Sequence, residues 1–544
     1  MARLVALFGD WRPRLQMVGQ NVPTVDVLIP CCNEDPDIII DTTRAVLQMD
    51  YPRNRYRVLI TDDGNSRELA SYVEQLSTEY PNLHYTARKK TGPDGFKAGN
   101  LNHALSFLSA LPEGAAEFVA SLDADMIPDK RWLRALVPHL VRDPQLAVVC
   151  PPQHFYNAPL NDALCQANRY FSRSFEVLKD MAGAAWNTGS GWITRREALD
   201  LIGGWPTDSI TEDAYCSTML LAAGWKAAYV QEELQHGLVP DSYYKHIKQR
   251  TRWNVGGAQR TANMGFFLRK AWARKFTAGH RFFHMLYSID YFSPILLCLG
   301  IIVTPICLFM GSKLAPYQDL SQLRLMLQLK CLVLLAGWLN DLHNSLFTGY
   351  QVGLSEQASR VWMSPYHMIT LVRSFILPSC LGGQLSGFTA TGSVPDTLHE
   401  RRPDQRAPLS KRLQHILTDC GAIFHLGFII LCSLGITNMV YQCFGAHSAG
   451  SSHSWMLFLS NLALPLPFWY QLIIGCFVPL QYAIFPPDVP EREACLFRDP
   501  ITGVAYPTQK AKKPQFTLKT VDYAHFHFPI VLYALGLFAS TWWI

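Results

Sequence analysis

Among 14 cysteines and 17 histidines the chain has no Cys-x-x-Cys pair and no Cys/His cluster at zinc-ligand spacing, which excludes a zinc module and a dithiol redox site. The cysteines are scattered and read as reduced core or membrane-facing residues, the adjacent Cys31 and Cys32 included. Charge is also scarce. Only 17% of the 544 residues are Asp, Glu, Lys or Arg, and a net charge of +5 is too small for the footprint of a nucleic-acid binder. The opening "MARLVALFGDWRPRLQ" lacks an apolar run long enough for a signal peptide or a spanning helix, so the expectation is that the first domain stays in the cytosol.

What is present is segregated along the chain. Residues 1–280 carry most of the charge, and the remainder is long apolar stretches broken by basic loops. Five apolar segments, near 291–311, 326–347, 422–443, 455–485 and 524–544, match the roughly 20 residues that cross a bilayer. The second carries Lys330 and Asp341, and the fourth is interrupted by Pro465, Pro467 and Pro479. Between them, "SRVWMSPYHMITLVRSFILPS" (359–379) mixes aromatic and apolar residues with Arg360 and Arg373 and predicts an amphipathic helix on the membrane surface. The loops at 399–412 and 509–519 are basic, whereas 444–454 has no lysine or arginine; this alternation orients a multi-pass chain with its first half in the cytosol.

That first half alternates strand-like and helical runs. "TVDVLIP" (24–30), "YRVLITDDG" (56–64), "EFVASLDAD" (117–125) and "QLAVVC" (145–150) read as buried parallel strands, with helical periodicity between them. The expectation is an N-terminal segment over 1–21, a doubly wound, mostly parallel α/β domain over 22–280, and an α-helical transmembrane region over 281–544. In a doubly wound sheet the ligand crevice lies beyond the carboxyl ends of the strands, where the acids of "TDDG" and "LDAD" fall.

Three acidic groupings stand out: Asp62-Asp63, Asp123-Ala124-Asp125 and Glu212-Asp213; the cationic "KQRTRW" at 248–253 follows them. Singly, an aspartate at a strand end often only caps a turn. Together they suit the departure of a diphosphate. Asp123 and Asp125 can hold Mg²⁺ or Mn²⁺ through hard oxygens, while Arg250 and Arg252 pair with phosphate oxygens. Asp213 opens a helix, whose N-terminus favours an ionised carboxylate, and is the choice for general base. Trp253 offers a flat face to an acceptor ring.

The order "DDG", "DAD", "TED", "QRTRW" resembles the processive family-2 glycosyltransferases of the cellulose synthase and cellulose synthase-like branch. Supporting matches are "IPCCNE", "FKAGNLNHAL", "QHFYN" (153–157), "NTGSGWITRREAL" (187–199) and "ELQHGLVPDS" (233–242). The resemblance implies a GT-A-type fold and an inverting hexosyl transfer from a UDP-sugar, UDP-glucose first, onto a growing glycan; single transfer to a lipid or hydrophobic acceptor is the alternative. A catalytically silent scaffold is the third reading, against which the intact acids argue. By the same resemblance, Glu34, Asp62, Lys97, Gln249, Arg250 and Arg252 would bind the donor, Trp253, Phe155 and Glu212 the acceptor, Asp123 and Asp125 the metal. Asp213, Asp63 and Asp123 would be catalytic. "SGFTATGSVPD" (386–396) stands where the family has a gating loop, with Ala390 replacing the usual valine. Relatives usually have membrane helices ahead of the catalytic domain, and the expectation is that this chain has none, with a homo-oligomer or accessory subunit as a further expectation.

Overall fold

The apolar run Val25–Cys31 forms β1, and every residue in it is buried. Val25, Val27 and Ile29 enter one core and Leu28 enters another on the opposite face, because successive strand side chains alternate. A strand with both faces covered needs helices on both sides, and the sequence supplies them. Helix α1 (Pro36–Leu47) is capped by Asp35, whose side chain accepts from the amide of Asp37 at 3.0 Å. Helix α2 (Arg67–Ser77) is capped by the Ser66 hydroxyl, and α3 (Phe96–Ser109) begins at Gly95, which sits at φ +67°.

The computed structural model describes residues 12–90, 95–159, 162–268, 275–311, 316–348, 354–383, 397–445, 451–512 and 522–542. The loop expected at 386–396, with Phe388, Thr389 and Ala390, lies outside the described residues, as do parts of the loops expected at 444–454 and 509–519.

The main sheet also contains β2 (Tyr56–Asp62), β3 (Leu83–Ala87) and β4 (Phe118–Ser121). After the short β5 (Ile127–Pro128) and helix α4 (Trp132–Arg142) comes β6 (Leu146–Cys150), then the short β7 (His154–Phe155), β8 (Trp192–Arg195) and β9 (Lys226–Tyr229). Seven strands run in the order β3-β2-β1-β4-β8-β6-β9. The β1–β2, β1–β4, β2–β3 and β6–β9 pairs are parallel, and β8 is antiparallel to both neighbours. The four expected strands are present; β3, β8 and β9 of the main sheet, and the short β5, β7 and β10, are additions. Each is five residues or fewer, and its strand character comes from pairing with neighbouring strands rather than from a long apolar run of its own. A three-stranded sheet, β5 with β10 (Gln235–Gly237) and β7, lies beyond the main one.

Helix α5 (Glu212–Ala222) opens on the "TED" acids, and α6 (Tyr243–Asn263) carries "QRTRW". Gly256 lets α6 approach α5 closely: a Cβ there would stand 2.4 Å from Thr211 Cγ2. Arg252, four residues earlier, shares that face of the helix, so the glycine contact aims the arginine at the "TED" acids.

The second half is helical. Among the described residues three helices are long and apolar enough to cross a membrane: Ala278–Met310 (33 residues), Leu320–Asn340 (21) and Ile423–Phe444 (22). Ser454–Ala463 and Leu466–Ile484 form a pair bent by 45° where Pro465 interrupts the helix. Pro529–Ser540 is a shorter apolar helix. Leu296, Ile302, Val303 and Ile306 on the first helix are exposed, as expected of a surface that faces lipid. The segment expected to lie on the membrane surface is a helix, Leu354–Phe375, that packs against Ser293–Met310, Leu466–Ile484 and α6. At its contact with α6, Trp362 stacks on Tyr243 with centroids 5.5 Å apart, and the hydroxyls of Tyr243 and Tyr366 lie 3.0 Å apart. The "QRTRW" helix is thereby fixed between the α/β domain and the apolar helices.

Candidate active site

The acids follow the strands that carry them. Beyond β1, Glu34 folds back to accept from the amide of Cys32. Beyond β4, the Asp123 amide donates to the Ser190 hydroxyl at 3.0 Å, and that hydroxyl donates to Gln235 Oε1 at 2.9 Å. The 189–191 segment is pinned in turn: the Gly191 amide donates to the Ser121 carbonyl at 2.8 Å, and the buried Trp132 indole donates to the Gly191 carbonyl at 2.7 Å. The "DAD" turn is therefore held from β8 and β10 as well as from β4.

Gly189 stands at φ +108°, and a Cβ on it would lie 2.9 Å from Asp213 Oδ2. Only glycine leaves room for that carboxylate, since the left-handed backbone and the close approach both exclude a side chain. Lys97, from the first turn of α3, ties the groups together. Its ammonium donates to Asp123 Oδ1 at 2.5 Å and to the Gly189 carbonyl at 3.0 Å, and lies 3.5 Å from Glu212 Oε1. Burial alone would pull the Lys97 ammonium down; Asp123 and Glu212 outweigh it and hold the charge above its ordinary range.

Five carboxylates, Glu34, Asp123, Asp125, Glu212 and Asp213, thus share a neighbourhood with two cations, Lys97 and Arg252. Arg252 is half-buried, and desolvation lowers its pKa, while Glu212, Asp123, Asp213 and Glu34 act in the opposite direction. The acids remain in excess. Burial, then the Asp123 and Glu34 charges, pushes Asp125 up to about 7. Burial, then Glu212, pushes Asp213 up to about 7, although the Ala214 amide donates to it at 2.7 Å. Glu34 is raised by burial first, with Asp123 and Asp62 adding to it and the Cys32 amide opposing.

Not every residue singled out in the sequence reaches this cluster. Asp62 is buried and fully occupied, accepting from the amides of Gly64 and Ser66, each at 2.7 Å, and from the Tyr85 hydroxyl at 2.9 Å; it shapes the turn after β2. Asp63 is gripped by the Arg88 guanidinium through contacts of 3.0 and 2.7 Å, with Lys90 at 3.3 Å. Arg250 turns away from the acids: it donates to the Cys165 carbonyl at 2.7 Å and lies over the Trp253 ring at 4.8 Å. Gln249, Arg250, Trp253 and Phe155 line an adjoining cavity of about 340 Å³ that begins at Asp213 and reaches Pro294, Leu297 and Met363 on the apolar helices.

The sequence marked the 187–199 stretch without giving Gly189 or Ser190 a task, and the glycine pair "GSG" was the signal available. Arg88 and Lys90 carried none, because a basic run in a loop reads as solvated charge.

Among the described residues no group of three or more His, Cys, Asp or Glu is arranged to hold a metal ion unaided. Two carboxylates that repel each other, with the remaining ligands left to phosphate oxygens, nevertheless suit a hard divalent cation of the Mg²⁺ or Mn²⁺ type. The donor chemistry of Asp123 and Asp125 fits such an ion.

Comparison with known proteins places the α/β domain among glycosyltransferases. The family described as "Glycosyltransferase like family 2" matches residues 23–256. A putative cellulose synthase 2 of Komagataeibacter xylinus is 30% identical over 316 residues, which are 55% of this chain and 19% of that protein. A cellulose synthase catalytic subunit [UDP-forming] of Pseudomonas fluorescens (strain SBW25) is 30% identical over 310 residues, 53% of this chain and 40% of that one. The chain thus spans less than half the length of these relatives. A solved mannosyltransferase, PcManGT from Pyrobaculum calidifontis in complex with GDP-Man and Mn²⁺, overlaps 56% of this chain at 21% identity and TM-score 0.38. Residues 23–256 are a family-2 glycosyltransferase domain, joined to a region of apolar helices.

Proposed function

We propose that the chain is a membrane-integrated, inverting glycosyltransferase that moves a hexose from a UDP-sugar, UDP-glucose first, onto the hydroxyl of a growing β-linked glycan. The observation that carries this reading is the convergence of Asp123, Asp125, Glu212, Asp213, Lys97 and Arg252 at the mouth of a cavity that runs to the apolar helices.

Asp213 is the base. Where that cavity begins, its carboxylate takes the proton from the attacking hydroxyl, and the Gly189 backbone fixes where that carboxylate points. One base and one displacement invert the anomeric centre, so an α-linked donor gives a β-linkage. Arg252 binds the diphosphate, and its charge offsets the negative charge that accumulates on the departing UDP. Lys97 holds Asp123 in place and contributes a second positive charge. Asp123 and Asp125 would hold a divalent cation, which when bound neutralises diphosphate charge. Asp63, tied to Arg88 and Lys90, borders the end of β2 and serves the nucleoside side of the site; Asp62 keeps that turn in shape. Trp253 and Phe155 give the acceptor apolar faces to stack on, and Gln249 and Arg250 close that cavity.

The Pseudomonas fluorescens relative's printed name, UDP-forming, supports UDP as the leaving group here. Basic loops on the catalytic side support a cytosolic domain. Because the cavity touches Pro294 and Leu297, single transfer to a lipid-embedded acceptor is the second reading. The test is the purified full chain with radiolabelled UDP-glucose and Mg²⁺, followed by product sizing and linkage analysis. A β-linked polymer supports the first reading and a monoglycosylated lipid the second. No UDP release with any UDP-hexose would end both.

A further inference from the structure

A second cavity, of about 440 Å³, lies on the far side of Phe155 from Asp213, between the β7 region and the segment that follows the last residues of Leu466–Ile484. It is within the ~300–1,000 Å³ typical of small-molecule sites. Its wall is cationic. Arg169, Arg173, Lys510 and Lys512 line it together with His154 and His236; Arg169 and Arg173 act on His154, and Lys512 on His236. Compensating acids are few. Among the described residues Arg169, Lys510 and Lys512 have no carboxylate within 4.0 Å. Arg173 has Glu233 only at 3.9 Å, and the one lining carboxylate, Asp488, is paired with Arg406.

The two histidines sharpen the picture. Their rings lie 5.7 Å apart, His236 is 4% exposed, and neither Nε2 has a hydrogen-bond partner among the described residues. Buried polar atoms are ordinarily paired, so two orphaned ring nitrogens mark a place for a polar ligand, and the four cations around them favour an anionic one. Burial, the largest cause, keeps both imidazoles neutral at ordinary pH: His154 is pushed down to about 4, with Glu233 opposing and Arg173 and Arg169 adding to the shift, and His236 to about 3, with His154 and then Lys512 adding to it. A neutral imidazole still donates one N–H.

We infer that this cavity is a binding site for a phosphate-bearing anion of the pyrophosphate class, separate from the carboxylate cluster. Two guanidinium and two ammonium groups around a space of this size suit two linked phosphates, and Phe155 and Tyr156 add an apolar wall. The segment bearing Lys510 is independently fastened to the catalytic domain, since Arg498 and Arg492 both pair with Asp41, Arg498 at 2.7 Å. A bound anion would add a second tie beside a residue, Phe155, that also borders the acceptor cavity. The phosphate could come from a free metabolite or from a lipid headgroup, because the cavity lies close to where Leu466–Ile484 ends.

The test is calorimetric titration of inorganic pyrophosphate into the full chain in phosphatidylcholine nanodiscs, with EDTA present so that the carboxylate cluster has no divalent cation to recruit the anion. We expect saturable binding in the wild type, weakened about tenfold or more for each charge-assisted contact removed in Lys510→Glu/Lys512→Glu and in Arg169→Ala. The lysines lie on the surface, and unchanged melting temperatures keep the comparison interpretable. Repeating the titration in nanodiscs containing phosphatidylglycerol separates the sources: weaker pyrophosphate binding there assigns the site to a headgroup, and equal binding assigns it to a free anion. No binding by the wild type, or binding of equal affinity in both variants, would overturn the inference.

Discussion

Replacing Asp213 by asparagine keeps the shape of the side chain and removes its ability to take a proton. The surroundings predict two separable effects. The Ala214 amide and the Gly189 backbone hold the position and would hold an amide equally well, so the site should keep its form. Removing one negative charge also relieves repulsion with Glu212 and Asp123, so the affinity for UDP should stay level or rise. Turnover should fall by the worth of a general base, roughly 10²- to 10⁴-fold, or about 3–5 kcal/mol of barrier. The pH profile adds a sign. A base raised to about 7 is protonated below that pH, so wild-type kcat/KM should drop about tenfold per pH unit on the acid side and level off above it. Asp125 titrates in the same range, and saturating Mg²⁺ keeps it ionised while the profile is taken. Steady-state UDP release across pH and calorimetric UDP binding are the assays. Turnover within tenfold of wild type, with the acid limb intact in Asp213→Asn, would refute the assignment.

Arg252→Ala should weaken UDP binding by one to two orders of magnitude, the worth of one charge-assisted contact at about 1.5–3 kcal/mol, and calorimetry reads it directly. Gly256→Ala places a Cβ 2.4 Å from Thr211 Cγ2, which should push α6 away from α5, lower the melting temperature and cost donor affinity through Arg252; an unchanged thermal transition and Kd would contradict the packing argument. Chelating divalent cations should abolish turnover reversibly, and Asp125→Asn should raise the Mg²⁺ concentration needed to restore it.

The strands and the acids were legible because each rests on a local signal. Val25–Cys31 is a largely apolar run with both faces buried, and the acids of "LDAD" after the equally apolar β4 fall in the crevice beyond the strand ends. Helices α1 and α2 were legible from the helical spacing of apolar residues between the strands. What stayed hidden depends on contacts between distant segments. Asp62 and Asp63 are neighbours in sequence, yet Tyr85 and two amides take one while Arg88 takes the other, and nothing in "TDDG" distinguishes them. Arg250 and Arg252 look equivalent in "QRTRW", but helical geometry turns them to different faces, and only the Gly256 contact selects Arg252 for the acids. β8 pairs antiparallel between β4 and β6, a position set by the sheet rather than by its own four residues. Orphaned nitrogens on His154 and His236 likewise appear only once β7 and β10 lie side by side.

A cryo-EM map of the full chain with UDP and Mn²⁺ tests the site most directly. We expect metal density between Asp123 and Asp125, the β-phosphate within hydrogen-bond reach of Arg252, and Asp213 facing the cavity that leads to Pro294 and Leu297. Nucleotide bound with its diphosphate away from Arg252, or metal held by neither aspartate, would contradict it.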